Sequence, residues 1–310
     1  MMLTVSHWLL AIEGLWAAAL VPLLAAGMIS RRRRIEGLRA AAGYRSAIYK
    51  ALAIYIGGNA DLEPLRALAA ASPQEFQKAL RDFQTAVAGR CDEIGDLALR
   101  MGLVSRWCDR AQSGSLEERR TALRRVASLA QFRPVYPLAR DAAAEAIGSG
   151  DEQLRLEAAR VLVHSRDANE ITRLFNRLLG DSRLVRAMIG PELRPHASYL
   201  CGGAVPEALR HGTPREIACA LEILYSWERG VPLDGFGYLA AHPDVLVRRE
   251  FLRLLPMLPA TREHRQALLD GLADAHPGVR AAARMAATRL KFSGIPDTVP
   301  GTLACAGGVA

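Results

Sequence analysis

The sequence predicts an all-α protein made by stacking one two-helix unit on copies of itself. Three observations carry that expectation. The chain is rich in Ala, Leu and Arg, with 50% hydrophobic and only 6% aromatic residues, and those three head the helix-propensity order. No run of alternating β-branched residues announces a sheet. A short pattern returns along the chain: an Asp, a brief variable gap, then Val-Arg or Leu-Arg followed by small or apolar residues. With Arg119, Arg155, Arg186, Glu216, Arg248 and Arg280 as anchors, the steps are 36, 31, 30, 32 and 32 residues.

The first segment does not belong to that pattern. Trp8–Ile29 holds 22 residues with one charge, Glu13, and one proline, Pro22. About 20 apolar residues cross the hydrocarbon core of a bilayer, so residues 1–30 read as a single transmembrane anchor. Ser30 and four arginines end it. Met1–Ser6 carry no Lys or Arg, and the positive-inside rule then places the N-terminus outside and the rest in the cytoplasm, at the inner membrane. A cleaved signal peptide needs its positive charge before the apolar run, and here it follows. Glu13 costs about 1–3 kcal/mol in lipid. It either reaches the outer interface or, beside Gly14 and Ala18, meets a partner helix.

Locating the charge decides what it means. The net charge is +8. Residues 31–50 supply +6 of it, from Arg31, Arg32, Arg33, Arg34, Arg39, Arg45 and Lys50 against Glu36. The last 260 residues carry only +3, too little for a nucleic-acid surface. Residues 31–58 therefore read as a basic juxtamembrane helix closed by Gly57-Gly58. Its cluster Arg31, Arg32, Arg33, Arg34 and Arg39 either contacts anionic lipid headgroups or serves only as a topology signal. Five cysteines, far apart and without a CxxC, read as free or buried thiols in a reducing compartment.

From Asp61 the chain is a succession of short amphipathic helices. Ser72-Pro73-Gln74-Glu75 and Ser115-Leu116-Glu117-Glu118 both match a capping box. The clearest repeats are Asp151 with Arg155, Asp181 with Arg186, Asp244 with Arg248, and Asp274 with Arg280. The acids are placed to cap the second helix of each unit. The arginines can reach back to that acid or on to the next repeat's turn. Ala158 and Ala159 let the helices approach closely. The pattern breaks at Gly190-Pro191 and Arg194-Pro195, where the second helix is either kinked or interrupted by an insertion.

This pattern resembles HEAT and HEAT-like repeats, well over Ser115–Lys291 and loosely over Asp61–Gly114. The resemblance implies an α-solenoid over residues 59–291, followed by a flexible tail over 292–310. It also implies a surface for gripping a protein. The expected function is a membrane-anchored cytoplasmic scaffold whose client is a protein at the same membrane, such as a glycosyltransferase or a transporter. Some HEAT-like families are bilin lyases and others are DNA glycosylases acting on alkylated bases, so an enzyme is the alternative.

No stretch demands catalysis, and no cofactor, metal or small-molecule substrate is expected. His242-Pro243 and His276-Pro277 fall in equivalent turns but lack the further ligands a metal needs. Glu157/Arg160 and Glu250/Arg253 are i,i+3 pairs at equivalent places. They read as solvated ion pairs or as a mixed-charge partner face.

Overall fold

The computed structural model describes residues 30–32, 41–58, 61–86, 91–228, 231 and 235–291. The expected anchor at Trp8–Ile29, the arginines 33, 34 and 39, and the tail 292–310 lie outside the described residues. Among the described residues no helix is long and apolar enough to cross a membrane, and none forms a strand.

The chain divides into two compact units, one ending at Leu103 and one starting at Val104. In the first, residues 41–56 form helix α1, ended by Gly57 and by Gly58 at φ +107°. Then come α2 (Glu63–Ala71), α3 (Pro73–Ala86) and α4 (Cys91–Arg100). One face of α1 is tied down by polar links. Arg45 donates to Glu75, Tyr49 Oη to Asp82 at 2.7 Å, and Tyr55 Oη to Asp96 at 3.0 Å. Glu75 spends both oxygens on Arg45 and Lys78, which hold its carboxyl below the ordinary carboxylate range. The Ser72 amide donates to the Leu68 carbonyl instead, so the capping box expected at Ser72–Glu75 does not form. The box at Ser115 does: Glu118 accepts from both the Ser115 amide and its hydroxyl.

The second unit begins at α5 (Leu103–Ser113), whose first residue marks the boundary. It continues with α6 (Leu116–Ala127), α7 (Tyr136–Ala146), α8 (Glu152–Leu162), α9 (Ala168–Leu179) and α10 (Arg183–Ile189). A 3-10 segment, Pro191–His196, leads to α11 (Ala197–Gly202), α12 (Ala204–His211) and α13 (Pro214–Tyr225). A 3-10 turn at Gly237–Ala241 precedes α14 (Val245–Leu254), α15 (Arg262–Leu272) and α16 (Pro277–Arg289).

Helices α6, α8, α10, α13, α14 and α16 pack in that order, each on the next, as one layer. The others flank them: α7 lies on α8, α12 on α13 and α15 on α16. This is a stacked helical repeat, a solenoid in its construction, with each unit closing the apolar face its neighbour leaves open. Interior helices of the layer are covered on several sides. In α8, seven of eleven residues are buried, Ala158 and Ala159 among them. Packing is close enough at Gly271 that a Cβ there would come within 2.6 Å of Leu252.

The recurring arginine marks the register. It is the fourth residue of α6, α8, α10, α14 and α16 (Arg119, Arg155, Arg186, Arg248, Arg280). In α13 the fourth residue is Ile217, so the anchor taken at Glu216 is one residue early. Glu216 is instead the third residue of the helix and closes a capping box with Thr213. With Ile217 in place, the steps from Arg155 become 31, 31, 31 and 32.

Arg155 and Arg248 each work in two directions, whereas among the described residues Arg280 grips only the turn before its own helix. Through Nη1, Arg155 holds the carbonyls of Ser149 and Gly150, Arg248 those of His242 and Pro243, and Arg280 those of Asp274 and Ala275. Through Nε and Nη2, Arg155 reaches Asp181 and Arg248 reaches Asp274, each 26 residues on. Asp181 and Asp274 are therefore joints between repeats and not helix caps. The caps are Ser182 and His276, and only Asp151 and Asp244 cap as expected. His242 and His276 serve their turns, each accepting a backbone N–H at Nδ1.

A notch in the helix layer as candidate functional site

The period survives the break at Gly190, so the unit around α10 carries no insertion. Its second helix is cut short instead. Helix α10 stops after seven residues, against ten to thirteen in α6, α8, α13, α14 and α16. Pro191 and Pro195 turn the chain into the 3-10 segment, because proline lacks the N–H an α-helix would use. Two contacts fix this geometry. The Trp227 indole N–H donates to the Gly190 carbonyl at 2.8 Å within the core. His196 Nε2 bonds the Val163 carbonyl at 2.8 Å, pinning the segment to the end of α8. Gly190 is required: a Cβ there would lie 2.7 Å from Ser226 Oγ.

Shortening α10 leaves a cleft of about 760 Å³ beside α8. Its walls include Arg124 of α6, Ser128 just after it, Arg160 of α8, Arg166 beyond that helix, and Glu192 and His196 of the 3-10 segment. That volume falls within the range of ligand-binding clefts.

Glu157 lies in the floor of the cleft. Its side chain is 1% exposed, which corrects its reading as part of a solvated ion pair. Helix α8 is covered from both sides, so its sixth position is interior. Three donors satisfy the carboxylate: Arg124 Nε at 2.9 Å, Gln153 Nε2 at 3.1 Å and Arg160 Nη1 at 3.2 Å. A buried carboxylate persists only with such partners. The two arginines are far more open, Arg124 at 57% and Arg160 at 29%. Each guanidinium carries five N–H donors, and Glu157 takes one from each.

The rest of the cleft is shaped by burial. His164 is pushed below its ordinary pKa by burial and by His196, so it is neutral at pH 7. The protein around Glu192 raises its carboxyl through desolvation, although the side chain itself stays at the surface. Arg166 is exposed and has no ion-pair partner among the described residues.

The second expected pair sits elsewhere. Glu250 is buried in α14 and accepts from Arg249 and Arg253 at 2.8 and 2.7 Å. Arg253 stacks over Tyr225 with its Cζ 4.8 Å from the ring centroid, and Arg289 donates to the Tyr225 hydroxyl. Glu250 and Arg253 do not line the cleft. Arg31 and Arg32 are exposed. Among the described residues no group of three metal-ligating side chains converges. The pairs Glu157/Arg160 and Glu250/Arg253 were visible in the sequence, but Arg124, Arg166, Glu192 and His196 were not. The pair of X-Pro steps at 190–195 was the signal for Glu192 and His196.

No protein-family model matches the chain, and no match was found among curated proteins. Among solved structures it is similar to a designed armadillo repeat protein in complex with the peptide (KR)4. That likeness has 15% identity over 70% of this chain and 94% of the other, with a TM-score of 0.36.

Proposed function

We propose that this protein is a HEAT-like docking platform that holds a protein partner in the α10 notch, and that residues 1–30 anchor it to the inner membrane with the repeats in the cytoplasm. The notch supports the docking reading. It is the place where an otherwise regular layer gives up helix and leaves polar groups facing an open volume. A tether to the membrane would raise the local concentration of clients in the same bilayer, a membrane enzyme such as a glycosyltransferase or a transporter. The exposed arginines that follow the anchor would lie among anionic headgroups. We read the platform as non-catalytic.

Site-directed photo-crosslinking in native membranes tests this. A crosslinking residue at Gln131, in the notch, should trap a discrete partner. The same residue at Asn176, on the exposed face of α9, should not. Equal trapping at both positions would count against the notch. Replacing residues 1–29 with a soluble tag should move the chain to the soluble fraction. Continued sedimentation with membranes would remove the anchor.

A further inference from the structure

We infer that the notch receives the carboxylates of an acidic segment of a protein partner. The inference deepens the docking reading and rests on it. The charge an arriving group meets differs from the charge a residue count suggests. The cleft holds three arginines and two glutamates. One of those acids, Glu157, is sealed into the floor with its oxygens already satisfied by three donors. It cannot be approached by a cation from solvent.

What Glu157 does instead is hold two guanidinium groups in place. Arg124 arrives from α6 and Arg160 from one turn along α8, and the same carboxylate fixes both. Their remaining N–H groups are left for the cleft. Arg166 adds a third positive group at the rim. Opposing them is Glu192, whose ionisation its surroundings already disfavour. The accessible field is therefore positive, and planar forks of N–H donors match carboxylates. A further cleft, around Arg262, His264, Arg265 and Lys291, differs in that apolar Leu255, Leu258 and Leu268 also line it.

Binding of fluorescein-labelled hexaglutamate and hexalysine to the full chain, followed by anisotropy, decides the matter. Hexaglutamate should bind, with affinity falling as salt rises, and hexalysine should not. Glu157→Gln is the informative variant. It removes the buried negative charge and frees both arginines, so hexaglutamate should bind severalfold tighter. Arg166→Gln, which disturbs no ion pair among the described residues, should weaken binding. The double variant Glu157→Gln/Arg160→Gln, which leaves no unpaired buried charge, should weaken it by about tenfold or more relative to Glu157→Gln alone.

Preference for hexalysine, or weaker hexaglutamate binding in Glu157→Gln, would overturn the inference. So would indifference to both arginine substitutions, or displacement of hexaglutamate by inorganic phosphate at equal charge concentration. If hexaglutamate fails while crosslinking at position 131 persists, the chemistry is wrong and the docking reading stands. If both fail, both fall.

Discussion

Arg155 and Asp181, 26 residues apart, form a nearly enclosed ion pair whose side chains are only 16% and 2% exposed. The guanidinium donates Nη2 to Oδ1 at 2.9 Å while its Nη1 grips the turn before its own helix. One side chain thus joins two turns of successive repeats. Removing it strands a carboxylate inside the stack.

That arrangement sets the first expectation. Arg155→Ala leaves Asp181 with the Ser182 amide as its remaining donor, and should cost about 3–5 kcal/mol. Glu145→Ala removes the equivalent acid from Arg119, but that pair is long at 3.5 Å and Glu145 is 58% exposed. It should cost less than about 1 kcal/mol. Urea denaturation followed by circular dichroism compares the two, and equal losses would refute the hierarchy.

Acid stability follows from the carboxylates that cap and join. Arg120 and the Leu154 amide lower the Asp151 carboxyl from 3.8 to about 2, and Arg248 lowers that of Asp274. A folded pKa below the unfolded value contributes stability that is complete above the unfolded pKa and is lost as pH falls through the folded one. The melting temperature should therefore hold down to about pH 4 and fall between there and about pH 2. Asp151→Asn, which still caps α8, should flatten part of that fall. A slope identical to that of the parent chain would show that Asp151 is not responsible.

The Trp227 indole is one of the two contacts that hold the wall of the notch. Trp227→Phe keeps an aromatic ring but removes the indole donor and leaves the Gly190 carbonyl with the Leu193 amide alone, at about 0.5–1.5 kcal/mol. Gly190→Ala should also destabilise, because the new Cβ collides with Ser226. Both should loosen the 3-10 segment and weaken crosslinking at position 131. Thermal melts together with that crosslink yield provide the check.

Burial raises the thiols of Cys108 and Cys201 to about 11. Both are thus protonated at pH 8 and unreactive. Iodoacetamide at pH 8 should leave them unmodified in the folded chain and label them fully in urea, as read by peptide mass mapping. Fast labelling without denaturant would mean that α5 or α11 opens readily.

Much of the architecture was legible because the arginine register is local chemistry repeated. Arg155, Arg186, Arg248 and Arg280 stand at one place in successive helices, as the spacing indicated. The anchor in α13 falls one residue early because Ile217 stands where the other repeats have arginine and the charged Glu216 stands beside it. The T-x-x-E box from Thr213 to Glu216 held the information that would have corrected it. Glu157 was read as solvated because an i,i+3 partner looks the same on a surface or in a floor. Its burial depends on Arg124, 33 residues earlier, and no local pattern reports that. The interruption at Gly190-Pro191 was readable, but that it opens a cleft follows only from what packs around the missing turns.

Ile217 gives the layer a joint with no anchor arginine in it. It replaces the arginine of α13, and Pro243 stands 26 residues on, where Asp181 and Asp274 stand in their own repeats. Both halves of the clasp are missing together. Helices α13 and α14 pack directly, and among the residues they bury are Ile217 and Leu221 on one and Val247 and Phe251 on the other. Dissolved ions mute electrostatic clasps, whereas salting-out ions tighten oily contacts. Ammonium sulfate would thus slacken the hinges on either side of this seam while clenching the seam itself, making the ionic medium a selector of where the array bends.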